Sequence, residues 1–379
     1  GSTLTLSPGT TVDGGDGYWI RVDGTLDASN AVFFSSQVPV TSGSHGAGLW
    51  TGIHIASKGH AVLNDVTIEN AKTAIKVDGQ LSAFKTTLKD AYIGINVIGS
   101  AEIDTLTAEH IDYEVIRNSG YLNLSSGTFT DIAGGLWSSG MSTVDTLTIS
   151  QAGTGLRSTS GTLSASGVGF FDTTVAISSQ QGASTTVHSL TADNVALLID
   201  AADSDDLTIS SGAVSGQRLL LANGASSFSI SDIDFEGRLT DTLAVIDQRC
   251  IGTCSWSDLE ISNITNGIFL SGPGNHTFSN LDLIAAERGI EGTGAGHIHL
   301  DSTNITAGTK GIEMRDPSST FEQITISMTS STSTAMDVLD GDHQWSTVSA
   351  SKGYLASDLT SIGLKAWYAS IDTTSLSLS

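Results

Sequence analysis

The densest run of chemically able side chains is Asp247-Gln-Arg249-Cys250-Ile-Gly-Thr-Cys254-Ser-Trp256-Ser-Asp258-Leu-Glu260, which joins carboxylates, a guanidinium, an indole and both cysteines of the chain. On a strand, side chains two apart share a face, so Asp258 and Glu260 are candidate paired carboxylates. Asp247 is a further acid and Arg249 the nearby base. Trp256 offers a flat ring on which a sugar can stack. Cys250 and Cys254 lack the additional Cys or His ligands that zinc requires, so a small-loop disulfide is expected ahead of free thiols, with the oxidising, exported setting that implies. The alternative for the whole stretch is a disulfide-pinned loop beside a solvated strand.

Histidines supply a second set. His297-Ile-His299 puts two imidazoles on one strand face, half of a metal site, and exposed polar residues on a β face are the alternative. His45, His54 and His60 stand near one another without a spacing that demands convergence. The Thr105/Thr107 and Thr146/Thr148 pairs are not kept at successive positions and read as ordinary strand threonines. Asn123, Asn263, Asn275 and Asn304 head N-x-Ser/Thr triplets, which matter only in a glycosylating export route.

The elements that must position these residues are set by a repeat. Ile75-Lys-Val77-Asp-Gly79-Gln-Leu81-Ser-Ala83 has a close copy in Ile20-Arg-Val22-Asp-Gly24-Thr-Leu26-Asp-Ala28 and another in Ile95-Asn-Val97-Ile-Gly99-Ser-Ala101. From Ile53 the opening apolar residues fall at Ile75, Ile95, Ile116, Leu136, Leu156, Ile177, Leu198 and Leu220, every twenty to twenty-two residues, and resume at Ile246, Ile268, Ile290 and Ile312, with Met336 a more distant member. Each period holds three short alternating segments, too short for helices. Such segments predict an all-β parallel β-helix of three-strand coils, roughly fifteen of them stacked about 4.8 Å apart. No coil could bury its apolar face alone.

One β-helix domain is expected over 1–379. Residues 1–49 form the lead-in and a first coil with a loop inserted at Val38 to Gly48. Regular coils follow over 50–345, with an insertion near 239–260, and 346–379, with Tyr354, Trp367 and Tyr368, is less regular. Five residues ahead of many opening positions, or six for His110, stands a polar residue: Asn70, Asp90, His110, Asp131, Gln151, Asp172, Asp193 and Asn263. Amides and carboxyls stacked at turns bond neighbouring backbone groups. Asp131 and Asp172 are alternatively candidate calcium ligands, hard oxygens suiting that ion, although no DxDxDG loop accompanies them.

Composition narrows the partners. With 16 basic against 40 acidic residues and a net charge of −24, the chain lacks the cationic footprint that nucleic acid or an anionic membrane needs. A hydrophobic fraction of 39% with only 15% charged residues argues for a folded chain. No apolar run is long enough to span a bilayer.

These coils resemble a right-handed parallel β-helix of the pectate-lyase-like superfamily. Pro8-Gly9-Thr-Thr-Val12, then Val22-Asp-Gly24-Thr-Leu26, then Trp50-Thr-Gly52-Ile53 is similar in order to the opening of β-helix modules in large exported and surface proteins. The resemblance implies an extracellular setting. It extends to the polar turn ladder, and it covers enzymes and non-enzymes alike: lyases with calcium-binding acids and an Arg or Lys base, hydrolases with paired carboxylates on neighbouring coils. With many acids, few bases and a Ser-Leu-Ser-Leu-Ser ending that reads as a cut through a longer chain, the expectation is a non-catalytic adhesin, glycan-binding or stalk segment. A carbohydrate-active lyase or hydrolase is the alternative, and end-to-end self-association through uncovered strand edges is a third outcome.

Overall fold

The computed structural model describes residues 2–15, 17–36, 50–204, 206–238, 244–294, 296–315, 318–330, 333–339, 342–352, 364–367, 370–373 and 376–378. Every regular element among them is a strand, and the strands pair in parallel as stacked coils, a β-helix. The chain divides into two compact units, Gly1–Thr191 and Ala192–Ser379. The predicted loop Val38 to Gly48 with His45 lies outside the described residues, as do Tyr354 and Tyr368.

The sequence period is the structural period. In the first unit Ile20, Ile53, Ile75, Ile95, Ile116, Leu136, Leu156 and Ile177 are successive register partners. In the second unit Leu220 pairs with Ile246, and Ile268, Ile290, Ile312 and Met336 follow one another. All of these except Ile20 are buried, and full burial of such a side chain is worth about 1.5–3 kcal/mol. A second interior ladder of the second unit is larger in volume: Ile230, Trp256, Phe278, Leu300, Phe321 and Trp345.

Each coil closes through three bends. After Thr73–Val77 comes the Asp78-Gly79 turn, where coils approach so closely that a Cβ on Gly99 would lie 2.2 Å from the Gly79 carbonyl oxygen, and one on Gly120 2.2 Å from that of Gly99. That approach is why the repeat carries glycine there. The second bend is the expected polar ladder: Asn70, Asp90, His110, Asp131, Gln151 and Asp172 have left-handed φ between 51° and 55°, and Asn263 has 56°. Short polar side chains tolerate this conformation best. At the next step it is Asn194, φ 58°, and not the expected Asp193, that turns the chain.

A third bend is what three segments per coil require; its left-handed conformation was not foreseen. Asp65 and Lys85 in the first unit, and Asp232, Asp258, Asn280, Ser302, Gln323 and Thr347 in the second, are also left-handed. Their side-chain types are too varied to announce a shared conformation. Of the insertion expected near 239–260, residues 239–243 lie outside the described residues, and Ala244–Ser271 is strand in register with Asp206–Glu236. The irregularity there is small: Asn223 faces Arg249, Ala225 faces Cys250 and Ser227 faces Thr253, so an extra residue at Gly224 on one strand is offset by an extra one at Ile251-Gly252 on the other and the register is restored.

Candidate functional site

Much of the stretch singled out from sequence points inward. Cys250 and Cys254 form a disulfide and are buried, with the bulged Ile251 outside. Trp256 is 1% exposed and lies between Phe228, edge-on at 5.4 Å, and Phe278, stacked at 5.9 Å. It therefore cannot stack on a sugar. Its Nε1–H donates to Gln248 Oε1 at 2.7 Å, and Gln248 Nε2 donates to His276 Nδ1 at 2.7 Å. This relay needs a bare lone pair on Nδ1, so His276 is neutral, in keeping with burial that lowers its pKa to about 4.

Nor do Asp258 and Glu260 share a straight strand. Asp258 is a left-handed corner residue, φ 53°, whose Oδ1 accepts from Asn280 Nδ2 at 2.8 Å. Glu260, past the corner, stacks in register between Asp234 and Asp282, all three exposed. Arg249 is exposed on the outside, and the side chain of Asp247 is outside the described residues.

Asp131 and Asp172 are separated by the Gln151 step of the ladder, roughly 10 Å at the usual strand spacing, too far to share one cation. The nearer partner of Asp131 is His110, whose Nε2 lies 3.4 Å from Oδ2 and whose Nδ1 is 3.3 Å from Asp90 Oδ1. His54 is held by Asp78 at 2.7 Å, whereas His60 is on another strand, between Thr25 and Gln80. His297 bonds Ser318 Oγ at 2.9 Å and Thr320 Oγ1 at 3.2 Å. Among the described residues no group of three or more His, Cys, Asp or Glu is arranged to hold a metal.

The better-built site lies elsewhere, on the outer face of the first unit. A groove there is lined by Tyr113, Glu114, Trp137 and Arg157 over a floor that includes Gly134, Gly135 and Gly155. It arises from one extra residue: Ile111 pairs with Ile132 but Glu114 with Gly134, so the chain bulges at Asp112-Tyr113. The bulge sets Tyr113 against Tyr92, rings 5.5 Å apart and 4° from parallel, 43% and 40% exposed. Gly134 packs closely under the bulge, since a Cβ there would sit 3.0 Å from the Tyr113 carbonyl oxygen.

Glu114 is 8% exposed, and its Oε2 is buried without a hydrogen-bond partner. Burial raises its pKa, and the nearby charges of Arg117 and Arg157 only partly oppose this. Arg117 lies over the Trp137 ring, 3.9 Å from its centroid, a cation–π contact, while Trp137 Nε1 donates to Thr159 Oγ1 at 3.1 Å. Arg117, Trp137 and Arg157 are consecutive register partners on the outward column that also carries Arg21, His54, Lys76 and Asn96.

No family model, curated protein or solved structure matches the chain.

What the groove can do therefore follows from its own groups. Flat rings, a buried carboxyl and the Arg157 guanidinium converge on a concave strip of backbone, with Arg117 beside them over Trp137, the mixture by which proteins hold polar ligands with flat apolar faces. A trace of it was present in the sequence, since the polar turn residue stands six residues ahead of the opening position at His110 and five at its neighbours. That sixth residue is the bulge.

Proposed function

We propose that the chain is a non-catalytic extracellular β-solenoid, an adhesin or stalk segment of a larger surface protein, and that it binds glycan in the Glu114–Trp137 groove. The observation that carries this is the exposed, parallel Tyr92–Tyr113 pair beside a groove holding Trp137 and the unpartnered Glu114 Oε2. Exposed ring faces beside convergent hydrogen-bonding groups suit sugars, which have apolar faces and polar rims. The coil is read as the right-handed, pectate-lyase-like kind, on the opening motifs and the polar turn ladder.

Binding is favoured over hydrolysis because a glycosidase needs two carboxyl groups across the bond it breaks. Glu114 is the one acidic residue among the described residues lining the groove. Affinity electrophoresis of the purified chain through gels containing neutral and charged polysaccharides tests the proposal. Retardation that Trp137→Ala removes is expected. Reducing ends or unsaturated products, with calcium or with chelator, would instead make the chain an enzyme.

A further inference from the structure

Four of the eight Lys and Arg residues of the first unit, Arg21, Lys76, Arg117 and Arg157, stand on a single outward column. Arg21 is paired with Asp23 at 2.9 Å and Lys76 with Asp78 at 3.3 Å. Arg117 and Arg157 make no ion pair with a carboxylate among the described residues: Arg117 rests on Trp137, and Arg157 donates to Gln180 Oε1 at 3.4 Å. The carboxyl lining the groove, Glu114, is buried and makes no ion pair with either, and burial raises its pKa. In a chain of net charge −24 this is a local excess of positive charge. At about 0.1 M salt, charges beyond about 10 Å are largely screened, so the local pair governs what binds.

From this geometry we propose that the groove takes an anionic glycan carrying one negative group on every second sugar, with Arg117 and Arg157 each holding one and Trp137 packing against the uncharged sugar between. The proposal rests on the glycan-binding function above. The backbones of Arg117 and Arg157 are two coils apart, on either side of Trp137, about 10 Å at the usual strand spacing and close to the length of two sugar units in an extended glycan. A guanidinium grips carboxylate or sulfate with paired hydrogen bonds. A charge on the middle sugar as well would find no guanidinium of its own at the Trp137 coil, which disfavours chains charged at every sugar. The shared chemistry is an oxyanion, and sulfate and carboxylate are separated by the choice of probe.

The test measures binding of the full chain, by calorimetry at fixed salt, to four polymers. These are hyaluronan, with one carboxylate per disaccharide; κ-carrageenan, with one sulfate per disaccharide; carboxyl-reduced hyaluronan, uncharged; and polygalacturonate, charged on every sugar. At least one of the first two should bind about tenfold more tightly than both of the others, and Arg117→Gln or Arg157→Gln should each remove most of that advantage. Both arginines lie at the surface, so unchanged thermal melting of the variants verifies folding. Equal binding of carboxyl-reduced hyaluronan, lost in Trp137→Ala but kept in the arginine variants, would overturn the anionic specificity and leave glycan binding standing. Tighter binding of polygalacturonate would overturn the alternate-sugar spacing. Failure of all four polymers to bind would remove both the specificity and the function on which it rests.

Discussion

Two buried glutamates, one in each unit, face opposite fates on the same kind of backbone. Glu114 is 8% exposed in the first unit, with one oxygen unpartnered and a raised pKa. Glu313 is 4% exposed in the second unit, and burial pushes its pKa up too. There, however, hydrogen bonds from Lys310 at 2.5 Å and Arg315 at 2.6 Å outweigh burial and hold the carboxyl below its ordinary value.

The columns around them differ in the same sense. Phe269, Glu291, Glu313 and Asp337 follow one another in the second unit, with Arg288 3.0 Å from Glu291 and Lys310 3.7 Å from Asp337. That face satisfies its own charges. In the first unit the outward positions carry Arg117, Trp137 and Arg157 and leave both cation and acid without a direct ion pair among the described residues. The interior ladder makes the coil; the single outward residue per strand decides whether a face is closed or open to a ligand.

Removing the cations from the closed face gives the largest expected effect. The double variant Lys310→Met/Arg315→Met strands Glu313 as a buried, unpaired carboxylate and should destabilise the protein by roughly 3 kcal/mol at pH 7 in chemical denaturation. Part of the loss should return on acidification. If stability is unchanged, Glu313 is not held by these partners.

Next in size is an acid effect from the core of the second unit. The folded-state pKa of His276, about 4, is below its ordinary 6.5, so its stabilising contribution is present above 6.5 and is lost as pH falls through 4. At one pKa unit per 1.4 kcal/mol the loss approaches roughly 3 kcal/mol. A His276→Gln variant, though less stable at neutral pH, should show a flatter stability profile between pH 7 and 4.

The two glutamates should bend the pH profile in opposite directions. Glu313 has a lowered folded pKa, so it contributes stability above the ordinary carboxylate range that disappears as pH drops through the folded value. Glu114 has a raised one, so its contribution is complete below the ordinary range and is lost as pH rises through the folded value. Glu114→Gln should therefore stabilise the fold by on the order of 1 kcal/mol at pH 8 and leave it nearly unchanged at pH 4. Parallel denaturation series at the two pH values check it. The smallest effect concerns binding: Glu114→Gln cannot ionise and compete for the arginines, so glycan affinity should stop falling as pH rises.

The fold was legible because its causes repeat. Apolar openers at one period, glycine where the turns touch and Asn or Asp where φ is left-handed each recur often enough to be seen in one sequence. The second line of left-handed corners was not, since Lys85, Ser302, Gln323 and Thr347 share a conformation without sharing chemistry. That line also explains why Asp258 and Glu260 looked like a pair: the alternation that put them on one face assumes no corner between them. Trp256 was misjudged for a different reason: the inward alternation Ile246, Gln248, Cys250, Cys254, Trp256 runs unbroken through the disulfide, so the parity of the opening residue already made the indole a core side chain. The Glu114 groove depends on register between coils, which a linear reading reaches only through the one-residue offset at His110.

That extra residue at Asp112-Tyr113 has a consequence of symmetry. A perfectly periodic surface offers a periodic polymer many equivalent seats, and the polymer can slip from one to the next without changing its contacts. One irregular coil makes a single seat unlike its neighbours. It acts as an origin on an otherwise unmarked ruler, from which a long ligand is registered instead of sliding.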